Sequence, residues 1–370
     1  MSEFNAYIGL DVHKETISVA VADQGRSGEV RHYGEIPNTP EAVAKLVRRL
    51  GKQHGQIEMV YEAGPCGYTL HRQVTSMGVA CRVIAPSHTP KRPGDRIKND
   101  TRDAIMLARL LRAGELTFVW VPDEAHEAMR DLVRARRTAS NDVRQARGLI
   151  QMFMLKRGLI YRGKPWTWRH RVWLADRNLD HPAQRIALQS YINRLEQAEG
   201  RKTDLDRQIE ALVAEWNMGP VVRALQALKG VGLVIAATIV AEIGDFARFS
   251  NPRQLMAYLG LVPGEHSSGG SVRPRGITKA GNSMARSLLF EAAWSYRLPA
   301  KVGQAGWVQQ RDCAQWLKDI SWRAQLRLAT RYRRLVLRGK RSQVAITAVA
   351  RELVGFIWAI ATQVGAPIAA

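Results

Sequence analysis

The chain has 370 residues, of which 55 are Lys or Arg and 33 are Asp or Glu, giving a formal net charge of +22. A surplus this large repels itself unless a polyanion neutralises it, so a nucleic acid is the expected partner. No uninterrupted apolar run is long enough to span a bilayer, and no signal peptide is visible, so a membrane partner is not expected. Three cysteines without a CxxC pair exclude a disulfide framework and a cysteine-rich zinc site, and they favour a reducing cytoplasm.

Strand and helix patterns alternate over the first 121 residues. Five segments have the alternation or apolar content of strands: residues 6–14, 17–23, 30–38, 56–64 and 79–87. Helical patterns follow the third, fourth and fifth of these strands, and the last helix begins near Asn99. Three consecutive strands followed by strand–helix units predict an α/β domain with a mixed sheet and helices on its faces, as in RNase H-like (RuvC-like) folds.

The rest of the chain is predicted to be mainly helical. Strand patterns disappear over residues 122–218, where two long helical patterns flank a segment broken by Gly163 and Pro165. This pattern predicts an antiparallel helical arm or coiled coil. Residues 219–370 are predicted to form a third, mostly helical domain with glycine-rich interruptions. The predicted organisation is therefore an α/β domain at 1–121, a helical arm at 122–218 and a C-terminal domain at 219–370.

Four acidic residues of the first domain are candidate metal ligands. Asp11 lies within an apolar strand and Glu62 ends another, while Asp100 and Asp103 begin a helix on one face. Because the first and fourth strands of an RNase H-like sheet are neighbours, these carboxylates are expected to meet at one end of the sheet. Their mutual repulsion would be relieved by divalent ions, and an oxygen-only ligand set favours Mg²⁺ or Mn²⁺. The alternative for the helix-borne pair is a cap and an acidic first turn.

A serine-rich loop is a second candidate site. The segment GLVPGEHSSGGSVRPRGITKAGN contains Ser267, Ser268 and Ser271 among several glycines, with Arg275 and Lys279 close by. A hydroxyl can attack phosphorus when it is activated and when cations stabilise the leaving oxygen. The alternative is a flexible loop with a basic edge that contacts phosphate.

Basic segments are candidate nucleic-acid contacts. Residues 130–171 contain twelve Lys and Arg but only Asp131 and Asp142, and three tryptophans, Trp166, Trp168 and Trp173, lie near the end of this segment. Basic and aromatic side chains together suit structured or single-stranded RNA, although a solvated helix face with buried tryptophans would have the same composition. The predicted contacts in this segment are Arg134, Arg136, Arg137, Arg144 and Arg147.

Further basic positions complete the candidate interface. Residues 323–341 hold eight Lys and Arg and no acid, and Arg331, Arg333 and Arg334 are the predicted contacts there. The KGVG turn suggests a helix–hairpin–helix whose backbone N–H groups bind phosphate, although an ordinary helical hairpin is the alternative. The remaining predicted contacts are Lys98, Lys229, Gly230, Gly232, Arg275 and Lys279.

The motifs GLDVHK, YEAG, KNDTRDA, KGVG and GLVPGEHSSGGSVRPRGITKAGN, in this order, resemble the DEDD-type transposases of the IS110 insertion-sequence family, and Piv-type invertases are similar. The resemblance runs along nearly the whole chain. It implies a RuvC-like domain, a coiled coil and a C-terminal transposase domain with a catalytic serine. The four acids of the family correspond to Asp11, Glu62, Asp100 and Asp103, and the serine of its SG pair corresponds to Ser268, with Ser267 adjacent. Lys229 stands where the family has a proline.

The resemblance also implies partners and chemistry. A non-coding bridge RNA would pair with target and donor DNA, and strand exchange would pass through a serine–DNA intermediate at a Mg²⁺-dependent site. The acids and the serine would meet across subunits, so a homodimer or tetramer is expected. Two alternatives are a RuvC-type nuclease, in which water attacks, and a nucleic-acid-binding protein without enzymatic activity.

Overall fold

A computed structural model describes residues 4–86, 99–265 and 274–365. The chain divides into two compact units, Met1–Val121 and Pro122–Ala370. Residues 122–218 and 219–370, predicted as separate domains, lie in the same compact unit.

The N-terminal unit is built on a five-stranded sheet. Its strands are β1 (Ala6–Val12), β2 (Thr16–Asp23), β3 (Val30–Pro37), β4 (Ile57–Glu62) and β5 (Ala80–Ile84). The order across the sheet is β3-β2-β1-β4-β5. The first three strands are antiparallel, whereas β4 runs parallel to β1 and β5 runs parallel to β4. The predicted mixed sheet, with its first and fourth strands adjacent, is confirmed, and it is consistent with an RNase H-like domain.

Helices cover both faces of this sheet, as predicted. They are α1 (Pro40–His54), α2 (Thr69–Ser76) and α3 (Asp100–Ala113). One face, including Leu10 and Met59, forms a core with α1 and α2. The other face, including Tyr7 and Val60, forms a second core with α3. Since successive side chains of a strand point to opposite faces of the sheet, every second residue contacts the helices on the same face.

Two long helices begin the C-terminal unit. These are α4 (Glu124–Leu155) and α6 (Pro182–Glu215), with the short α5 (Trp168–Ala175) between them. The long helices pack antiparallel, since Arg136 pairs with Asp206 whereas Arg147, further along α4, pairs with the earlier residue Glu199. Their existence and approximate bounds agree with the helical patterns of the sequence.

The remaining elements of this unit pack into one large core. They are α7 (Gly219–Leu225), α8 (Leu233–Ile243), α9 (Pro252–Tyr258), β6 (Pro263–Glu265), β7 (Pro274–Ile277), α10 (Ser283–Ala293), a 3₁₀ turn (Trp294–Arg297), α11 (Gln304–Gln310), α12 (Gln315–Leu337) and α13 (Ser342–Gly365). The serine-rich segment departs from the loop that the sequence predicts, because β6 and β7 pair antiparallel at its base.

Helix α13 has the length and composition to cross a membrane, but half of its most apolar window is buried in the protein. Residues such as Ile346, Val349, Leu353 and Ile357 belong to the large core. A helix that packs against several neighbours becomes apolar around most of its circumference. The composition of α13 is therefore that of a core helix.

Candidate functional site

The acidic site begins on two neighbouring strands. Tyr7 and Val60 lie on the face of the sheet that α3 covers. Asp11 follows Tyr7 by four residues on β1, and Glu62 follows Val60 by two residues on β4. Both carboxylates therefore belong to the same face of the sheet. The β1–β4 register ends at the pair Leu10 and Tyr61, one residue before Asp11 and Glu62. The two acids therefore end adjacent parallel strands.

Helix α3 brings the other two acids to this edge. Its N-cap is Asn99, whose side chain accepts a hydrogen bond from the N–H of Thr101 at 3.0 Å. Asp100 and Asp103 are in the first turn, where the helix dipole favours negative charge. The sequence-based alternative, in which an aspartate caps the helix, is thus corrected, since Asn99 performs that role.

Gly9 allows α3 to lie directly on β1. A Cβ atom at this position would come within 2.2 Å of the carbonyl oxygen of Ala104 and 2.5 Å of the backbone nitrogen of Ala108. Only a residue without a side chain permits so close an approach of helix and strand. Because Asp11 follows Gly9 by two residues on the same face, this contact places the start of α3 beside Asp11.

Three donor atoms meet at this point. His13 Nε2 lies 3.3 Å from Asp11 Oδ2 and 3.5 Å from Asp100 Oδ2. Ligand atoms of Asp11, His13 and Asp100 all lie within 4.8 Å of one another. Asp103 is close enough for its charge to act on Asp11. Glu62 is outside the three-residue group, although it lies at the end of the adjacent strand.

The carboxyl group of Asp11 is partly buried and lies close to other charged groups. Burial raises its pKa above the ordinary value, and the charges of Asp100 and Asp103 raise it further. The charge of His13 and its hydrogen bond lower the pKa, but they do not cancel the increase. A divalent cation at this position would favour the ionised carboxylate and relieve the repulsion.

The donor set fits a divalent ion. Asp11, His13 and Asp100 can each offer one ligand atom, and Asp103 and Glu62 are candidates for further ligation. Carboxylates suit Mg²⁺ or Mn²⁺, whereas an imidazole also suits ions that prefer nitrogen. The sequence predicts an oxygen-only set, and the structure adds the imidazole of His13 as a further candidate ligand. His13 was missed, although the spacing in GLDVHK places it on the same face as Asp11.

The serine candidates lie outside the described residues, as do Lys98 and the rest of residues 87–98. The described residues that flank the serine candidates on both sides form a tightly packed base. Lys279 has a left-handed backbone with φ 58°, and its N–H donates to the carbonyl of Gly260 at 3.1 Å. Arg286 donates to the carbonyls of Leu259 and Ala280, at 2.9 and 2.7 Å, and so joins the two sides of the base.

Comparison with known proteins places these elements in a family. The family model "Transposase" of the DEDD IS110 type matches residues 8–155, and the model "Transposase IS116/IS110/IS902 family" matches residues 222–303. The y4qE protein of Sinorhizobium fredii, assigned as a transposase, is 49% identical over 97% of this chain and 89% of its own length. The transposase for insertion sequence element IS1533 of Leptospira borgpetersenii is 28% identical over 89% of this chain and 96% of its own.

The chain belongs to the IS110 family of transposases. The transposase of element IS1111A from Coxiella burnetii is a further relative, 30% identical over 77% of this chain and 76% of its own length. The predicted family resemblance is confirmed, and family membership favours a DNA-transfer enzyme over a binding protein without activity.

Several predicted nucleic-acid contacts of this transposase are engaged within the protein. Arg134 donates two hydrogen bonds to the buried Glu242, at 2.7 and 3.0 Å. Arg136 donates to Asp206 at 2.7 Å, and Arg147 donates to Glu199 at the same distance. The acids of α6 and α8 therefore neutralise part of the surplus charge that the sequence assigns to residues 130–171.

Other positions on α4 remain accessible. Arg144 is exposed, and it lines a groove of about 520 Å³ with Arg147, Trp166 and Lys202. Arg137 donates to Ser287 Oγ at 3.3 Å.

Of the three tryptophans, Trp166 and Trp173 pack against His170, whereas Trp168 is 76% exposed. Trp168 is therefore the tryptophan of this set that is most accessible to a partner, and RNA contact by it stays a prediction.

The KGVG turn joins α7 to α8, and Gly232 is the N-cap of α8. A Cβ at Gly230 would lie 2.5 Å from the carbonyl oxygen of Ala292, so this glycine is needed for packing against α10. Lys229 donates to the carbonyl of Pro299 at 3.0 Å. These contacts favour a packed helical hairpin at Gly230 and leave Gly232 as the candidate for phosphate contact.

Three of the last five predicted contacts line one cleft. Arg275, Lys279 and Arg331 line it, and Arg334 lines the groove that continues from it. Arg333 lines neither, and its Nε donates a hydrogen bond of 3.5 Å to the carbonyl of Ala329 in its own helix. Basic residues close to the β6–β7 pair thus belong to one surface of the transposase.

Proposed function

We propose that this transposase cuts and rejoins DNA at a divalent-metal centre that acts together with Ser268. The centre comprises Asp11, Glu62, Asp100 and Asp103. The observation that carries the proposal is the group of Asp11, His13 and Asp100, whose crowded negative charge suits a cation beside a phosphodiester. When bound, Mg²⁺ or Mn²⁺ would supply charge stabilisation to the phosphate and the leaving oxygen.

The serine supplies the attacking oxygen in this proposal. The bond between Ser268 Oγ and phosphorus forms while the bond from phosphorus to one nucleoside oxygen breaks. The serine hydroxyl loses its proton, and the departing oxygen gains one. Attack by a hydroxyl of a second strand then releases the serine and joins the new strands.

Sequence selection is proposed to come from a bridge RNA that pairs with target and donor DNA. The net charge of +22 and the exposed side chains Arg144 and Trp168 support an RNA partner. Sequencing of the RNA that co-purifies with the protein tests this assignment. Recovery of one discrete RNA from the same insertion element supports it, whereas bulk cellular RNA without enrichment contradicts it.

The helical pair and the oligomer belong to the same proposal. We infer that α4 and α6 act as a coiled-coil arm, with residues 1–121 as the RuvC-like domain and 219–370 as the transposase domain. A homodimer or tetramer would allow acids of one subunit to act with the serine of another. Mixing an Asp11→Asn variant with a Ser268→Ala variant tests this, because recovery of activity requires shared sites.

The serine mechanism is tested by trapping the protein on DNA. The wild type, Ser267→Ala and Ser268→Ala proteins are incubated with end-labelled substrate and Mg²⁺, and adducts are resolved under denaturing conditions. We expect an adduct with the wild type and with Ser267→Ala, and none with Ser268→Ala. Loss of the adduct only in Ser267→Ala would move the nucleophile by one residue.

A RuvC-type hydrolytic nuclease is the remaining alternative, because the acidic site alone would support attack by water. The same experiment separates the two mechanisms. Continued cleavage by Ser268→Ala without an adduct in any sample would favour hydrolysis and overturn the serine mechanism.

A further inference from the structure

A cleft lies in the C-terminal unit beside the β6–β7 pair. Its volume is about 680 Å³, and it is formed by α9, the β6–β7 pair, α12 and α13. It is distinct from the acidic site, which is in the N-terminal unit.

The rim of the cleft is cationic. Six basic side chains line it: Arg253, Arg275, Lys279, Arg327, Arg331 and Arg351. Glu352 is the one acid among the described residues that line it. This charge is complementary to a polyanion and unsuited to a cationic or neutral ligand.

The floor of the cleft is apolar, which phosphate binding alone does not require. Its apolar side chains include Met256, Leu261, Ile277 and Ala348, and the more exposed Val344 also lines the cleft. A cationic rim above an apolar floor matches a nucleotide, whose base is flat and largely apolar on its faces and whose phosphates are charged. A continuous double helix exposes phosphates, sugars and base edges but hides the faces of its bases, so a base must leave the stack to lie on this floor.

A groove of about 440 Å³ continues from the cleft along α12. Arg323, Arg327, Arg331 and Arg334 lie along it at spacings of three and four residues, so they share one face of the helix. At 1.5 Å per residue these arginines extend over roughly 16 Å, enough to follow several phosphates of one strand.

Glu352 holds two of these arginines. Arg327 Nε donates to Glu352 Oε2 at 2.7 Å. Arg331 Nε lies 3.1 Å from Oε1 as an ion pair without hydrogen-bond alignment. The carboxylate therefore competes with any phosphate that approaches this pair, and it keeps both guanidinium groups at the mouth of the cleft.

We propose that this cleft binds one unstacked nucleotide of the DNA substrate, with its base on the apolar floor and its neighbouring phosphates on the arginines of α12. The inference rests on the proposed function only in taking DNA as the substrate. It does not depend on the serine mechanism, because it is tested by binding without cleavage.

The experiment uses a DNA duplex with a short single-stranded gap that carries 2-aminopurine, measured in chelator so that no cleavage occurs. This base is dim when stacked and bright when unstacked. None of the described residues that line the cleft is aromatic, so a base held there stays bright. We expect fluorescence to rise about threefold on binding at one gap position.

Two substitutions on α13 test the floor. Ala348→Phe fills it, and should remove the fluorescence rise while changing affinity less than about threefold. Val344→Trp offers an indole to the bound base, and should turn the rise into quenching through stacking. Since Val344 is 54% exposed, this variant is expected to fold normally. Gln343→Phe, an exposed position that does not line the cleft, is the matched control and should behave as the wild type.

Substitutions at the rim test the phosphate contacts. Arg327→Gln should weaken binding and reduce the salt dependence by about 0.7–0.9 in log–log slope, whereas Glu352→Gln should strengthen binding by freeing two arginines. An absent rise with wild-type protein, or an undiminished rise with Ala348→Phe, would overturn the proposal. A larger rise with the same gap made of RNA would overturn the assignment to DNA.

Discussion

Acidic side chains have opposite surroundings in two regions of the molecule. At the acidic site of the N-terminal unit they lie beside other acids, whereas in the α4–α6 pair of the C-terminal unit they form ion pairs. At the acidic site, Asp11 lies beside Asp100 and Asp103, and burial and these two charges raise its pKa, although His13 lowers it in part. In the helical pair, Asp206 and Glu199 are held by arginines, and their pKa values are lowered. Charges balanced within the protein stabilise its fold, whereas a group of like charges provides a place for a cation that comes from solution.

Among the substitutions that test this comparison, we expect the largest effect at Asp11. Asp11→Asn removes a charge from the crowded group, and should lower the rate of DNA cleavage about 100-fold or more because a proposed metal ligand is lost. The melting temperature should stay the same or rise, because repulsion is relieved. Cleavage assays and thermal denaturation of the same preparation measure both. A variant that loses activity only by unfolding would contradict the assignment.

The next effect concerns the contact that positions the acids. Gly9→Ala should destabilise the protein by about 3 kcal/mol, since a Cβ would meet the backbone of α3. Gly51→Ala is the control, because no atom lies within 4 Å of a Cβ there, and alanine should stabilise helix α1 by about 0.5–1 kcal/mol. Urea denaturation measures both changes. Equal effects of the two substitutions would disprove the close packing at Gly9.

A smaller effect separates the paired from the accessible arginines. The sequence predicts RNA binding by Arg136 and Arg137, but Arg136 is tied to Asp206. Arg136→Gln should cost about 1 to 2 kcal/mol of stability, whereas the exposed Arg144→Gln should mainly weaken nucleic-acid binding and its salt dependence. Denaturation and salt titration of binding distinguish them. If Arg136→Gln weakened binding as strongly as Arg144→Gln at unchanged stability, the structural role of Arg136 would be refuted.

The smallest effect is a pH dependence in the helical pair. Burial raises the pKa of Glu199, but hydrogen bonds from Arg171 and Arg147 outweigh this and leave the pKa below its ordinary 4.5. The stabilisation, about 1 kcal/mol or less, is complete above that value and is lost as the pH falls through the lower pKa of the folded state. The difference in urea midpoint between wild type and Glu199→Gln should therefore shrink between pH 6 and pH 3. A constant difference would exclude the ion pairs as its cause.

Much of the N-terminal unit follows from periodicity. Residue patterns predicted the strands β1 and β4, and the RNase H-like order of elements predicted that they are adjacent, as the structure confirms. Alternation along each strand brings Asp11 and Glu62 to one face. His13 was missed because an isolated histidine has many uses, and only the position of Asp100 distinguishes this one. The contact at Gly9 depends on a helix almost a hundred residues later, which local patterns do not encode.

The C-terminal unit was less predictable for a related reason. Counting charges within residues 130–171 overlooked Glu199, Asp206 and Glu242, which lie on later helices and neutralise arginines of α4. The strands β6 and β7 were missed because three or four residues beside glycine and proline give no clear alternation. Ser268 and Lys98 lie outside the described residues, so their predicted roles stay predictions.

Helix α13 has a consequence for synthesis of the protein. It follows every other element of its unit in the chain, yet its side chains complete the core against α7, α9, α10 and α12. While the ribosome is still making it, the apolar surfaces that it will cover are open to water and to chaperones. A truncated transcript that lacks the codons for α13 would therefore yield an aggregation-prone fragment instead of an enzyme with reduced activity.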